Sequence, residues 1–115
     1  MAVAALSPAE IREGRANDRI GTHLLLEEAG MRVWRLTLAP GETVPAHRHD
    51  HPYFWTALTA GKGRSRYADG RIVEHDYAAD ETRNFPNLSP DDAFVHDLTN
   101  IGATPLVFVT VEFDR

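Results

Sequence analysis

The sequence contains no cysteine, which excludes disulfides, thiolate metal sites and cysteine nucleophiles. Any site chemistry must come from histidine, carboxylates, hydroxyls or arginine. Lysine is almost missing as well: Lys62 stands alone, and the formal charge is -5. Nucleic-acid affinity depends on clustered cations, so a nucleic-acid partner is not expected. No apolar run approaches the roughly 20 residues of a membrane span, and the opening Met-Ala-Val-Ala-Ala-Leu has neither the basic start nor the apolar core of a signal peptide. A cytoplasmic protein with no membrane partner is the expectation. There is also no Gly-rich phosphate loop and no G-x-S-x-G elbow, which removes those reaction classes.

What is present describes one domain rich in turns: 115 residues with 7 prolines and 8 glycines leave no room for a second core. Ser7-Pro8-Ala9-Glu10 is a capping box with proline in the first helical position, predicting a short peripheral helix that ends near Gly14. From Thr22 onward, short runs separated by Gly, Pro, Asp or Asn predict strands. These are Thr22–Glu28, Met31–Leu38, Val44–His49, Tyr53–Thr59, Gly63–Ala68, Arg71–Tyr77, Arg83–Leu88, Phe94–Leu98 and Leu106–Phe113. Asp69-Gly70 is the strongest turn signal and predicts a two-residue type I′ hairpin with positive φ at both places. The segment Asp76–Asp92, with Pro86 and Pro90, is the least regular and is expected to form a loop over a barrel mouth. Many strands without crossover helices imply a sandwich or barrel.

Histidine is the compositional excess, and four of the six fall at His47, His49, His51 and His96. His47 and His49 lie two apart on a predicted strand, so both imidazoles leave one face and can reach one point. A divalent ion needs imidazole nitrogens at roughly 2.0–2.1 Å, and such a pair can supply two of them.

Gly41, His47, His49 and Gly61 reproduce the first cupin motif, G-x5-H-x-H-x3,4-E-x6-G, at every place except the glutamate. His96-Asp97-Leu98-Thr99-Asn100 matches the H-x3-N close of the second. From about Leu36 to Phe113 the chain thus resembles the cupin superfamily. The resemblance implies an all-β fold, a single cupin double-stranded β-helix or jelly-roll-like barrel over residues 21–115, after an N-terminal arm with a short helix over residues 1–20. It also implies that His96 joins His47 and His49 on one divalent ion, of which Fe, Ni, Zn and Mn are the candidates, and that the protein is a homodimer. A finer likeness, to small cupins of β-alanine degradation, rests on His47 through Gly61 and on the closing Val107-Phe108-Val109-Thr110-Val111-Glu112 strand.

The departures are informative. The glutamate position falls on Tyr53 or Phe54, and the proline and glycine before the second-motif histidine fall on Asp91 and Ala93, with Pro90 one place early. Losing the carboxylate leaves three neutral donors, which keep the full charge of the ion and favour water or a small anionic ligand in the open positions. His51 is a candidate fourth ligand, although Pro52 argues for a turn there.

Tyr53 is the candidate acid or hydrogen-bond donor to a bound ligand, with its neighbours Phe54 and Trp55 read mainly as packing. Arg64 and Arg66 share a face, taken as solvated, and Arg71 sits beside the hairpin. Glu42, Asp50 and Asp97 adjoin the histidines but read as exposed carboxylates, and Asn100 as a turn residue. Three functions remain: a metal-dependent dioxygenase, isomerase or decarboxylase of small acids; a non-catalytic protein binding metal or a small ligand; and a metal-free, epimerase-like cupin.

Overall fold

The computed structural model describes residues 3–114, so the start of the first expected segment, 1–20, and the end of the second, 21–115, lie outside the described residues. One helix, α1 (Pro8–Arg15), precedes nine strands: β1 (His23–Glu28), β2 (Met31–Leu38), β3 (Thr43–His49), β4 (Tyr53–Ala57), β5 (Gly61–Arg66), β6 (Ile72–Tyr77), β7 (Thr82–Phe85), β8 (Phe94–Asn100) and β9 (Leu106–Phe113). The strands form two antiparallel sheets, β1-β2-β9-β4-β7 and β3-β8-β5-β6. The jelly-roll-like, all-β expectation is met. No helix among the described residues is long and apolar enough to cross a membrane.

The sheets face one another across a core of Leu36, Leu38, Val44, Ala57, Leu98, Leu106 and Phe108. Strand β5 turns only small residues inward, Gly61, Gly63 and Ser65, opposite the bulk of Trp55, Tyr77 and Phe108. A Cβ on Gly63 would lie 2.8 Å from Leu98 and 3.0 Å from Tyr77. Glycine here lets strand and aromatic ring approach closely, leaving room further along for a chamber.

Helix α1 is less peripheral than its sequence suggests. The capping box forms as read, with Glu10 N–H donating to Ser7 Oγ and Ser7 N–H to Glu10 Oε1, but the helix lies on the outer face of β3 and β8. Gly14 is buried there, where a Cβ would meet Val95 at 2.6 Å and Ala46 at 3.0 Å. Asn17, just past the helix, donates through its side chain to the Ala46 carbonyl and accepts from the Arg48 backbone.

The hairpin after β5 departs from the two-residue type I′ turn. Gly70 has φ 95° while Asp69 is not left-handed. Tyr67 N–H donates to the Arg71 carbonyl and Gly70 N–H to the Tyr67 carbonyl. This is a three-residue connection closed by a glycine, in which Asp69 needs no strained backbone because its carboxylate accepts from Arg71 instead. Within the expected irregular segment, strand β7 forms over Thr82–Phe85 and a single 3-10 turn over Pro90–Asp92.

Candidate metal centre

Three histidines meet between the sheets. The ligand atoms of His47, His49 and His96 all lie within 4.8 Å of one another, and the three ring centroids are 4.9–5.0 Å apart. His47 pairs directly with His96 across β3 and β8. Alternation along β8 turns Phe94, His96, Leu98 and Asn100 inward and Val95, Asp97 and Thr99 outward.

A bulge decides which way β3 presents its histidines. Val44 pairs with Leu98 and His47 with His96, so three steps on β3 match two on β8. Val44 and His47 both face inward because the extra residue resets the alternation. Without it, the residues in step with Val44 would be Ala46 and Arg48, and both imidazoles would face outward. The Pro45 carbonyl at the bulge then accepts a hydrogen bond from His47 Nδ1 at 2.8 Å. That bond fixes the tautomer and leaves the Nε2 lone pair free.

The electrostatics suit a cation. Burial holds the His47 imidazole below the ordinary histidine range, opposed in part by the Pro45 carbonyl and Asp97. His49 is held well below it by burial and by repulsion from His47 and His96, and His96 by burial and by His47. All three are therefore neutral at neutral pH, the form that coordinates. His49 Nε2 and His96 Nε2 are 3.2 Å apart. Two nitrogens at about 2.1 Å from a common ion stand about 3.0–3.4 Å apart between octahedral and tetrahedral angles, so the spacing fits a shared metal.

The depressed titration has a consequence for the metal-free protein. Below pH ~6.5 the unfolded chain protonates these histidines while the folded chain resists, so stability falls as pH drops, by up to about 1.4 kcal/mol per pH unit per histidine until the folded values are reached. Urea midpoints measured from pH 7.5 to 5.5 should decline more steeply in the wild type than in a His47→Gln/His49→Gln/His96→Gln variant.

His51 does not join the cluster. The chain turns at Pro52, and His51 Nε2 instead lies 3.5 Å from an Asp50 carboxylate oxygen, beside Arg32 and Glu112 in a surface pocket. The glutamate position is filled on the inner side by Tyr53, whose buried ring stacks on His49 at 4.4 Å and on Phe85 at 4.7 Å. Burial raises its phenol far above the usual range, so it remains an O–H donor. Trp55 also faces inward, while Phe54 points out.

The buried carboxylate Glu112 pairs with Tyr53 across β4 and β9 but is committed to Arg32 at 2.5 Å. Asp97 faces away from the cluster as its parity requires, yet it is 1% exposed rather than a surface carboxylate. It accepts from the Arg66 backbone N–H at 2.8 Å and from Arg66 Nε at 2.9 Å. Glu42 accepts from Ala39 N–H and Asp50 from Arg48. Asn100 is a buried turn clamp, donating to the Leu38 and Thr104 carbonyls and accepting from Gly102 N–H.

The cluster opens outward. A small chamber of about 60 Å³ holds His47, His49 and His96 against Leu36, Leu98 and Phe108. It adjoins a cavity of about 400 Å³, lined in part by His96, Tyr53, Tyr67 and Phe94, whose rim carries Arg71 and Arg83. Arg83 pairs with Trp55 across β4 and β7, which places it on the inner face of its sheet. Arg71 is held by Asp69 and lies over the Tyr67 ring. On the opposite wall His75 shares a 2.7 Å hydrogen bond with Glu81. Sequence reading singled out neither Arg83 nor the His75–Glu81 pair. The one available signal, Arg83-x-Phe85 alternation, becomes readable only once β7 is known to be a strand.

No family model and no curated protein matches the sequence. Solved structures do. A cupin domain from Bordetella pertussis is similar with a TM-score of 0.69 at 21% identity, over 86% of this chain and 96% of that one. A Klebsiella pneumoniae protein with a double-stranded β-helix domain gives 0.59 at 21%, over 90% and 85%. The chain has a cupin fold. The oxalate decarboxylase of Bacillus subtilis, a protein with Mn(II) centres, gives 0.55 at 25% over 75% of this chain, which spans only 22% of that one. In this cupin fold the two motif histidines of β3 and the later one of β8 converge, and the set fits a divalent metal.

Proposed function

We propose that this cupin holds one divalent ion on His47, His49 and His96 and binds a small carboxylate-type metabolite in the cavity above it. The observation that carries the reading is the convergence of three imidazoles, those of His47 and His49 buried and that of His96 half-buried, in a small chamber that adjoins a larger cavity lined by His96, Arg71 and Arg83. Three neutral donors leave the charge of the ion uncompensated, which favours an anionic ligand. A divalent ion there would supply Lewis-acid polarisation of a bound oxygen or activation of water.

The protein's own groups divide the remaining work. Arg83 lines the cavity, where its charge also helps to hold the Glu81 carboxyl below the usual range, and it can meet a carboxylate through a two-pronged guanidinium contact. Tyr53 offers a proton-bearing hydroxyl, and His47 is oriented by the Pro45 carbonyl. The stretch from His47 to Gly61 resembles small cupins of β-alanine degradation, which supports a short aliphatic acid as the ligand. The open cavity favours a catalytic role over a sealed structural ion, because no fourth protein ligand closes the cluster among the described residues.

Elemental analysis of protein refolded with each candidate metal tests the centre, with one equivalent expected. Metal below half an equivalent for every ion would overturn the reading. For the ligand, Arg83→Ala is expected to weaken oxalate binding to the metal-loaded protein by about 10–100-fold, the worth of a charge-assisted hydrogen bond. Calorimetry would read this directly, and an unchanged affinity would remove Arg83 from the ligand site.

A further inference from the structure

The larger cavity beside the histidine cluster is lined by the edge strand of each sheet, β6 of one and β7 of the other. β6 turns Val73, His75 and Tyr77 toward it, two residues apart on one face. The chain then reverses through residues 78–81 to reach β7. Glu81 N–H donates to the Ala78 carbonyl, Asp80 N–H to the Ala57 carbonyl, and Ala57 N–H to the Glu81 carbonyl. Asp80 closes the reversal at φ 70°, the one non-glycine residue with positive φ among the described residues, in a conformation that aspartate tolerates better than most. The reversal sets Glu81 back against His75, six residues earlier.

Both carboxylate oxygens of Glu81 are engaged. Oε1 accepts from the Ala78 N–H at 3.0 Å, and Oε2 shares the 2.7 Å hydrogen bond with His75 Nε2. The Ala78 N–H, His75 and Arg83 hold this carboxyl below its usual range against the effect of burial, so it is ionised at neutral pH and can only accept. The proton in the bond therefore sits on Nε2. Neutral His75 then carries its lone pair on Nδ1, in the way that a carboxylate sets the tautomer of a catalytic histidine. Tyr77 packs edge-on against the imidazole at 4.6 Å and is itself packed on Phe108 at 4.8 Å, so the ring is held by packing as well as by Glu81. An exposed histidine and carboxylate pair contributes little to stability, but this one is half-buried and lines the same cavity as His96 and Arg83.

We infer that His75 Nδ1 accepts a hydrogen bond from a hydroxyl of the ligand, with Glu81 as the positioning residue, so that the cavity selects short hydroxy acids over the parent acids. The inference rests on the carboxylate-ligand reading above and narrows it: Arg83 meets the carboxylate and His75 reads the hydroxyl. An acid without the hydroxyl leaves the Nδ1 lone pair unpaired, which is how a polar site rejects an analogue that lacks one group.

Calorimetric titration of the zinc-loaded protein with propanoate, lactate and 3-hydroxypropanoate, acids on one carbon skeleton, reads the selection at pH ~8.5, where imidazole is ordinarily neutral. The better hydroxy acid should bind about tenfold more tightly than propanoate. His75→Phe should lower that ratio by about fivefold or more, while oxalate, which has no hydroxyl, should keep its affinity within about twofold. Nitrogen-15 spectra of the wild type give a readout that needs no variant to fold. His75 should show Nε2–H and a bare Nδ1, with the Nδ1 resonance moving on addition of the hydroxy acid and not of propanoate. Glu81→Ala should mix the two tautomers and lower the ratio, and Glu81→Gln, which keeps an acceptor, should retain more of it. A ratio unchanged in a folded His75→Phe protein assigns the preference to the metal and overturns the inference. So does a proton on Nδ1 in the wild type, or a hydroxy acid bound no more tightly than propanoate while oxalate still binds. Failure of the wild type to bind oxalate strikes the carboxylate reading itself, and the inference with it.

Discussion

His96→Ala is expected to lower the affinity for a divalent metal by about 10²–10³-fold, and His47→Ala or His49→Ala to do the same. A structural zinc site provides about 10–16 kcal/mol over four ligands, or about 2.5–4 kcal/mol per ligand, which is close to that factor. The convergence of the three rings makes the effect symmetrical: no member is peripheral, since the ligand atoms lie within 4.8 Å of one another. His51→Ala is the informative control. It removes an imidazole only a few residues along the same chain, but one turned to Asp50 and Glu112 rather than to the cluster. Its metal affinity should match the wild type in competition against a chromophoric chelator. A loss comparable to that of His96→Ala would return His51 to the ligand set. A metal-dependent rise in melting temperature should follow the same pattern, because an ion that binds only the folded chain stabilises it by mass action.

Asp97→Ala should destabilise the fold by about 3 kcal/mol, the cost of breaking a largely buried charged pair. The carboxylate is 1% exposed and receives both the backbone N–H and the guanidinium of Arg66, and Arg66 in turn reaches Glu10 of α1 at 2.9 Å. Removing Asp97 leaves a backbone donor and a half-buried cation short of an acceptor and loosens the helix from β8. Glu10 and water still serve Arg66, which keeps the cost below that of a fully orphaned ion. Asp97→Asn retains one acceptor and should cost less than half as much. Urea unfolding measures both, and because Asp97 points away from the histidines, metal stoichiometry at saturation should not change. A loss of metal binding in a folded Asp97→Asn variant would show instead that this pair positions His47.

Much of the architecture could be read from local pattern. β2 and β9 run over the stretches the sequence predicts, and the other strands shift by no more than a few residues, because alternation and turn residues act within a strand's own length. The helix start was legible for the same reason: Ser7 and Glu10 satisfy each other three residues apart. Errors gathered where a distant neighbour takes over. Asp97 reads as a surface carboxylate until β5 brings Arg66 against it. Asp69 needs positive φ only if the hairpin has two residues rather than three.

The candidate metal centre divides along the same line. Sequence alone determined that His47 and His49 share a face and that His96 follows at motif distance without a glutamate to join them, because side-chain parity and spacing are properties of the covalent chain. Only the tertiary structure decided that the shared face is the inner one. That outcome depends on the bulge between Val44 and His47, a mismatch of register between two strands, and one-residue changes of register exchange the faces of a strand. The turn of His51 away from the cluster, the place of Arg83 beside the cavity and the outward apolar face of β9 depend on the tertiary structure in the same way. Each depends on which strand lies alongside, a matter of pairing between residues far apart in the chain that no local periodicity encodes.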